Sequence, residues 1–259
     1  MTDSVTFGKN EINVSKLADL LLEFGEKMLY SGAEIDRIES AICKIGISYG
    51  LKDAVAFVIP SLIVITLTPE NEEEISKTRI LQANKYGTNL YRLQKLNDLG
   101  HICREKHISL SEFEKGIKEC EKKVPLANYL VGSALAAGGF SIFFGGNLWD
   151  SITAGIIALL ICFFQAKVQH LFNSNLSFTI IVSFIIGVIS GFAAYLLPFL
   201  NGDKIAIGVI MLIIPGLAIT KSIRDIILDD TISGTLSLVN GLFLTGGIAL
   251  GFFASFLIF

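Results

Sequence analysis

The most constraining feature of this sequence is a run of apolar residues too long for a soluble core. Residues 124–149 contain no Asp, Glu, Lys, Arg or His. A helix needs about 20 apolar residues to cross the roughly 30 Å hydrocarbon layer of a bilayer. Since polar backbone groups must pair with one another inside lipid, this stretch predicts a transmembrane helix.

Four further apolar segments follow and predict four more crossings. They are residues 151–166, 176–199, 205–220 and 235–259. The sequence therefore predicts an α-helical polytopic membrane protein with five transmembrane helices.

Charged residues are concentrated before Val124, although they make up only 17% of the whole chain against about 25% in soluble domains. This asymmetry predicts two domains, a polar one over residues 1–123 and a transmembrane one over residues 124–259. Loop charges predict the orientation, because short loops rich in Lys and Arg stay in the cytoplasm. Lys167, Lys221 and Arg224 lie in loops on the side of the N-terminus, whereas Lys204 lies opposite. We expect a plasma (inner) membrane protein with its N-terminus cytoplasmic and its C-terminus outside.

Composition also excludes several function classes. The formal charge of -3 and the lack of a basic stripe with aromatics argue against nucleic acid. The three histidines have no ligand-spaced partners, which predicts no metal site, and we expect no cofactor. The four cysteines lack CxxC spacing and are interpreted as reduced thiols. We find no arrangement of nucleophile and base that would indicate an enzyme.

The polar domain shows helical periodicity on both sides of a strand-rich centre. Apolar residues recur at helical spacing over residues 17–28 and 35–45, and again over residues 90–103. Between them, "AVAFVIPSLIVITLT" (54–68) predicts two strands with a turn at Pro60-Ser61, and residues 75–81 predict a third. The order predicts a cytosolic α+β domain with a small antiparallel sheet.

Two capping boxes are predicted in this domain. A capping box pairs a Ser or Thr with a Glu three residues later, and each satisfies a free backbone N–H of a new helix. Ser31 with Glu34 and Ser109 with Glu112 have this spacing. The first predicted box leaves two readings open for Ser31, Gly32 and Glu34, a helix cap or a functional site.

Several stretches resemble the threonine/serine exporter (ThrE) family. They are "GEKMLYSGAEIDRIE" (25–39), "TNLYRLQKLNDL" (88–99), "ALAAGGFSIFFGG" (134–146) and, most specifically, "IPGLAITKSIRDIILDDTISG" (214–234). The chain looks like the longer, YjjP-like subunit of a split exporter, which implies a short YjjB-like membrane subunit as its partner. One departure is Lys221, where the family pattern has an uncharged polar residue, often asparagine.

The resemblance implies export of small polar metabolites, either threonine and serine or a dicarboxylate such as succinate. Since no Walker A sequence is present, the expected carrier is a secondary exporter driven by a gradient. The alternative is a membrane-tethered sensor or regulatory subunit whose cytosolic domain binds a metabolite.

The fourth apolar segment contains the candidate site. Pro215 removes a helical hydrogen bond and Gly216 permits a bend. Transporters use such interruptions to offer backbone groups to a solute, whereas a plain kink is the structural alternative. Thr220, Lys221 and Arg224 follow the interruption, and the two cations favour either carboxylate binding or positive-inside anchoring.

Acidic and amide side chains complete the predicted site. Asp225 lies one turn past Lys221 and is predicted to pair with it or, together with Asp229, to couple transport to protons or ions. Asn128, Gln165 and Asn240 lie in or near apolar segments, where they either line the solute path or make packing hydrogen bonds. Asp150 is interpreted as a helix N-terminal charge, and Asp230 with Thr231 and Ser233 as caps of the last helix.

GxxxG spacing occurs at Gly187 and Gly191 and again at Gly247 and Gly251. Small residues let helices approach closely in lipid. The motifs predict intrachain packing, with a homo-oligomer or partner interface as the alternative.

Overall fold

The computed structural model describes residues 4–7, 10–70, 73–81, 87–121, 125–172 and 174–258, with side chains from residue 13 onward except His170. Contacts divide the chain into two compact units. Met1–Lys122 and Thr220–Leu238 form one, here called the α+β unit. Lys123–Ile219 and Val239–Phe259 form the other, the helical unit. The α+β unit thus takes in a segment from the last part of the chain.

The α+β unit contains four helices and five strands before residue 122 among the described residues. The helices are α1 (Val14–Tyr30), α2 (Ile35–Ser48), α3 (Leu90–Lys106) and α4 (Leu110–Glu119). The strands are β1 (Ser4–Phe7), β2 (Asn10–Asn13), β3 (Asp53–Ile59), β4 (Leu62–Thr68) and β5 (Ile75–Ile80). The β1–β2 hairpin was not predicted.

The predicted antiparallel sheet is confirmed, with strand order β3-β4-β5. Ile59 lies opposite Leu62, so the turn contains Pro60 and Ser61, as the sequence indicates. One face of β4 is buried, through Ile63, Ile65 and Leu67. Because side chains alternate along a strand, this face packs into the core while the other stays partly accessible.

Helix α1 supplies the centre of the core. Leu17, Leu21, Phe24 and Met28 are all fully buried, as their helical spacing predicts. The ring of Phe24 lies 5.7 Å from that of Phe113 on α4. Helix α4 begins with the predicted capping box of Ser109 and Glu112, which is confirmed.

The other predicted capping box, at Ser31 and Glu34, is wrong. Ser31 is the C-cap of α1, and its hydroxyl donates to the carbonyl of Lys27 at 2.5 Å. Glu34 is the N-cap of α2 but makes no side-chain capping bond. The physical reason is Gly32, whose φ of 85° ends α1 in a left-handed turn and places Ser31 before that turn.

Within the described residues, four helices are long and apolar enough to cross a membrane. They are α5 (Leu126–Phe143), α6 (Leu148–Val168), α7 (Asn175–Leu196) and α10 (Thr231–Phe256). The prediction of five such helices is not confirmed. The segment expected as the fourth crossing consists of two shorter helices, α8 (Gly202–Ile210) and α9 (Gly216–Ile227).

Glycines of the GxxxG motifs lie where α7 and α10 approach closely. A Cβ at Gly251 would collide with the carbonyl oxygen of Ile180, and one at Gly187 with the hydroxyl of Ser255. A Cβ at Gly247 would lie 2.7 Å from a methyl group of Leu176. These contacts favour the intrachain packing role of the motifs, in which small residues bring backbones together.

Replacing Gly251 with alanine is expected to destabilise the protein by about 1–3 kcal/mol, because the new methyl group would push α7 and α10 apart. Thermal unfolding of the full chain in detergent measures the effect. Gly246 on the same helix has no atom within 4 Å of an added Cβ, so Gly246→Ala is the matched control. That control is expected to match or exceed the wild-type stability, and equal stability of both variants would contradict the assigned packing.

Candidate functional site

The backbone around Pro215 is not helical between α8 and α9. Helix α8 ends at Ile210, α9 begins at Gly216, and residues 211–215 are not helical. The carbonyl of Pro215 accepts from Ile219 N–H at 3.0 Å, which starts the new helix. Proline suits this position because it lacks the N–H that a continuing helix would need.

Helix α8 packs tightly in the helical unit through two glycines. A Cβ at Gly208 would lie 2.6 Å from the carbonyl of Ala137 and 3.0 Å from the Cβ of Ser141, both on α5. A Cβ at Gly202 would lie 3.2 Å from the carbonyl of Ser190 on α7. Asn201, directly before α8, bonds to Asp150 at the start of α6, so α8 runs from the C-terminal end of α5 toward its middle.

Three buried serines on the helices beside α8 were not singled out from the sequence. Ser141 on α5 and Ser183 and Ser190 on α7 have hydroxyl oxygens without a hydrogen-bond partner within the described residues. An unpaired buried hydroxyl costs about 1–3 kcal/mol, so water or a polar solute would stabilise it. The sequence marks these serines only by their position inside apolar segments. Serine is also common there in ordinary helix packing, so the position alone does not indicate a site.

Asp150 fixes the start of α8 rather than offering a free charge. It forms a capping box with Asn147 at the start of α6, which confirms its role as a helix N-terminal charge. Its carboxylate also accepts from the backbone N–H and side-chain amide of Asn201 at 2.8 and 2.9 Å. Since Asn201 directly precedes α8, this carboxylate ties the beginning of α8 to the beginning of α6.

Asn128 lies near the start of α5 and Gln165 near the end of α6. Because the two helices pack antiparallel, both residues lie far from Ser141, which is near the end of α5. Gly138 packs against Ser151, which sets the antiparallel pairing. Asn128 is 13 positions before Ser141, or about 20 Å along the helix. Asn128 on α5 and Asn240 on α10 are exposed, and Gln165 on α6 is half-buried. Their roles stay predictions.

In the α+β unit, the polar side chains of α9 meet the loop between α1 and α2. Lys221 Nζ donates to the carbonyl of Gly32, and Arg224 forms an ion pair with Glu34. The expected Lys221–Asp225 pair is therefore replaced by a contact of Lys221 with a distant backbone group. Gly32, the acceptor of this contact, has a left-handed backbone with a φ of 85°.

Residues at the start of α3 also form hydrogen bonds with the loop between α1 and α2. Arg92 donates through Nε to the hydroxyl of Ser31 at 2.6 Å and through Nη2 to the carbonyl of Tyr30 at 2.9 Å. Asn89 N–H donates to the carbonyl of Ser31 at 3.0 Å. We call this assembly the loop junction, formed by Ser31, Gly32, Glu34, Arg92, Lys221 and Arg224. Three separate sequence motifs meet in it.

Asp225 is a buried acid beside the loop junction, with 7% of its surface exposed. Burial raises the pKa of Asp225, and the nearby carboxylates of Asp230 and Glu34 raise it further, while Arg224 and Lys221 lower it. Burial also raises the pKa of Asp230, assisted by Asp36 and Asp229. A carboxyl group in such surroundings takes up a proton at a higher pH than an exposed one does.

Glu39 on α2 belongs to the same acidic surroundings. Burial raises its pKa, with further contributions from Asp230 and Asp36, and the hydrogen bond from Val58 N–H opposes them. Ser233 on α10 donates to the carbonyl of Val58 at 3.0 Å. The segment after α9 thus lies against both α2 and β3.

Asp229 has a conformational role at the end of α9. Its φ of 71° is left-handed. Asp230 N–H donates to the carbonyl of Asp225 at 2.9 Å, and Asp229 N–H to that of Ile226 at 3.3 Å. These bonds form a Schellman motif with Asp229 in the position usually held by glycine. Thr220 lies exposed near the start of the same helix.

Exchanging the charges of the ion pair tests the loop junction. Arg224→Glu and Glu34→Arg are each expected to lower the Tm of the full chain, because each places like charges together. The double variant restores opposite charges and is expected to recover most of the loss. The recovery should shrink in about 1 M salt, where the Debye length is about 3 Å. A double variant as unstable as the sum of the singles would show that the two side chains do not pair.

The four long apolar helices found among the described residues indicate an integral membrane protein. The chain belongs to the ThrE family: the family model described as "Putative threonine/serine exporter" matches residues 19–259. This is a family of transporters rather than enzymes. No curated protein and no solved structure gives a match. Within the described ranges, no group of three His, Cys, Asp or Glu side chains is placed to hold a metal ion.

Proposed function

We propose that this protein is a subunit of a secondary exporter that moves threonine and serine out of the cell. The observation that carries the proposal is the non-helical segment 211–215, which interrupts an apolar stretch inside the region matched by the family. An anchoring helix needs no such interruption. A carrier benefits from it, because helix ends and unwound backbone bind polar groups that lipid would reject.

In this proposal, residues 205–220, from α8 through the first turn of α9, form an interrupted fifth crossing, and the rest of α9 with Asp225 lies outside it. The packing of Gly208 beside Ala137 supports a position of residues 211–215 near the middle of α5. The unpaired hydroxyls of Ser141 and Ser183 lie on the helices that flank α8 and offer hydrogen bonds to a small hydroxylated amino acid. The C-terminus then lies outside the cell and the N-terminus inside.

The contacts of Lys221 and Arg224 favour an amino acid over a dicarboxylate as the substrate. A dicarboxylate at near-neutral pH needs two compensating charges in a low-dielectric site. Both cations are already engaged, Lys221 by the carbonyl of Gly32 and Arg224 by Glu34. A zwitterionic amino acid carries no net charge and therefore needs fewer compensating charges from the protein.

Asp225 is the proposed coupling group. It is buried, its pKa is raised, and it lies on α9, ten positions after Pro215 at the end of the interruption. Binding and release of a proton there would change the charge beside the loop junction in each transport cycle. We further propose that a short second membrane subunit completes the exporter, as split members of such a family require.

Efflux from reconstituted vesicles tests the proposal. Vesicles with this chain alone, with the chain and its second subunit, and without protein are loaded with labelled serine, threonine or succinate. We expect gradient-dependent efflux of serine and threonine from the vesicles with both subunits. Equal leak from all three preparations would contradict transport, and efflux of succinate alone would contradict the proposed substrate.

A further inference from the structure

The α+β unit contains a cleft between α2 and α3 that plays no part in the proposed transport path. Its volume is about 230 Å³. Phe24 of α1 and Gly100 of α3 lie among its lining residues, and a Cβ at Gly100 would lie 3.3 Å from the ring of Phe24. The glycine therefore brings α3 close to α1 at this apolar part of the lining.

The polar side chains of the cleft are cationic or neutral. Arg37 and Lys44 come from α2 and Arg104 from α3, and the described residues that line the cleft include no acid. Arg37 and Lys44 are seven positions apart, about two helical turns, so they lie on one face of α2. Among the described residues, no carboxylate oxygen lies within 4.0 Å of any of these three cations.

The acidic residues of α3 lie to the side of the cleft. Asp98 follows the lining residue Asn97 by one position, and Glu105 follows Arg104 by one position. One position rotates a helical side chain by about 100°, so neither carboxylate faces the same direction as its lining neighbour. On α2, Asp36 and Glu39 each precede a lining residue by one position, and Glu39 accepts from Val58 N–H of β3. The lining residues of both helices therefore contribute positive charge without a carboxylate among them.

His101 lines the cleft beside Arg104. Arg104 Nη2 lies 2.7 Å from His101 Nδ1. Since the guanidinium has only donors, Nδ1 is the acceptor of this contact. Ser40 and Asn97 add neutral hydrogen-bonding groups to the lining.

We propose that this cleft binds a compact soluble anion with two or more negative groups, such as a polycarboxylate or a phosphorylated metabolite. Three cations from two helices match separated negative groups, and the guanidinium fork suits carboxylate or phosphate oxygens. The volume lies below the roughly 300–1,000 Å³ typical of drug-sized sites, which fits a small metabolite. Binding at this position joins α2 to α3 and gives the α+β unit a ligand of its own, independent of the transported solute.

Isothermal titration of the full-length protein in neutral detergent tests the proposal, with citrate and inorganic pyrophosphate as probes and acetate as the single-charge comparison. We expect saturable binding of at least one probe and none of acetate. The Arg37→Gln/Lys44→Gln variant is expected to bind the probe at least tenfold more weakly, or about 1.4 kcal/mol. Lys106→Gln/Lys115→Gln removes the same charge from exposed positions outside the cleft and is the matched control.

Ser40→Asp provides a second variant with an added carboxylate in the lining and is also expected to weaken binding at least tenfold. Equal weakening by the Lys106/Lys115 control would overturn the proposal, because it would show attraction by overall charge alone. Displacement of the probes by phosphatidylglycerol in nanodiscs, but not by soluble polyanions, would also overturn it in favour of a lipid headgroup. Because binding is measured without transport, failure of efflux leaves this test unaffected, and failure of binding leaves the exporter proposal standing.

Discussion

Replacing Asp225 with asparagine is expected to abolish gradient-driven efflux of serine and threonine while the protein still folds. The carboxyl group is buried among Asp230, Glu34 and the cations of α9, and its pKa is raised. Asparagine keeps the size and some hydrogen bonding but cannot take up or release a proton. Initial efflux rates from vesicles with matched protein content measure the effect, and unchanged efflux would remove Asp225 from the mechanism.

Asp98→Asn is the control for this substitution, because Asp98 is an exposed acid on α3. It is expected to leave efflux unchanged. Solute exchange at equal pH on both sides separates coupling from binding. If Asp225 couples proton movement, the Asp225→Asn variant should retain exchange of labelled for unlabelled serine even though net efflux is lost.

The same carboxyl groups predict how stability depends on pH. The pKa values of Asp225, Asp230 and Glu39 are raised from ordinary values of 3.8, 3.8 and 4.5. At these three groups the folded protein holds protons that the unfolded chain has released, so their contribution to the free energy of unfolding falls as the pH rises above about 4 and through the raised pKa values. Thermal unfolding between about pH 4 and pH 7 should show this fall, and Asp225→Asn should make it shallower.

Restoring helix-forming residues at the interruption is expected to reduce efflux at least tenfold. Pro215→Ala and Gly216→Ala together remove residues that disfavour a helix interior by about 3 and 1 kcal/mol. The new alanine at position 216 meets no atom within 4 Å, so a loss of activity would report the backbone conformation rather than a steric clash. The initial rate of serine efflux measures the effect.

Pro198 supplies a matched control for this double variant. It lies between α7 and α8, outside both helices. Pro198→Ala also removes a proline from the apolar part of the chain, and we expect it to retain most of the efflux. Wild-type rates in the Pro215→Ala/Gly216→Ala variant would show that the interruption has no role in solute movement.

Local patterns predicted the parts of the fold that depend on neighbouring residues. The hairpin around Pro60 and the capping box at Ser109 follow from spacing alone. The prediction of a capping box at Ser31 is wrong because α1 extends to Tyr30 and Ser31 is its C-cap, followed by Gly32 in a left-handed conformation. The positive φ of Gly32 decides between a capping box and a C-cap at Ser31, and glycine at this position is the sequence signal of a helix end.

Contacts between distant parts of the chain were beyond such patterns. Lys221 and Gly32 are 189 positions apart, and neither helical periodicity nor charge predicts their contact. The prediction for Asp150 captured its capping role but not its hydrogen bonds with Asn201, 51 positions away. The serines of α5 and α7 were missed because serine is common in apolar helices, and only their packing shows them without partners.

Labelling of a single cysteine in the interrupted segment tests the central claim most directly. Ile213→Cys is introduced into a variant whose four natural cysteines are alanine, with Leu160→Cys on the exposed surface of α6 as the control. We predict that a water-soluble maleimide labels position 213 in vesicles, that threonine or serine slows the reaction, and that position 160 stays unlabelled. If position 213 reacts with a lipid-soluble maleimide but not with the water-soluble one, a solute site at residues 211–215 is contradicted.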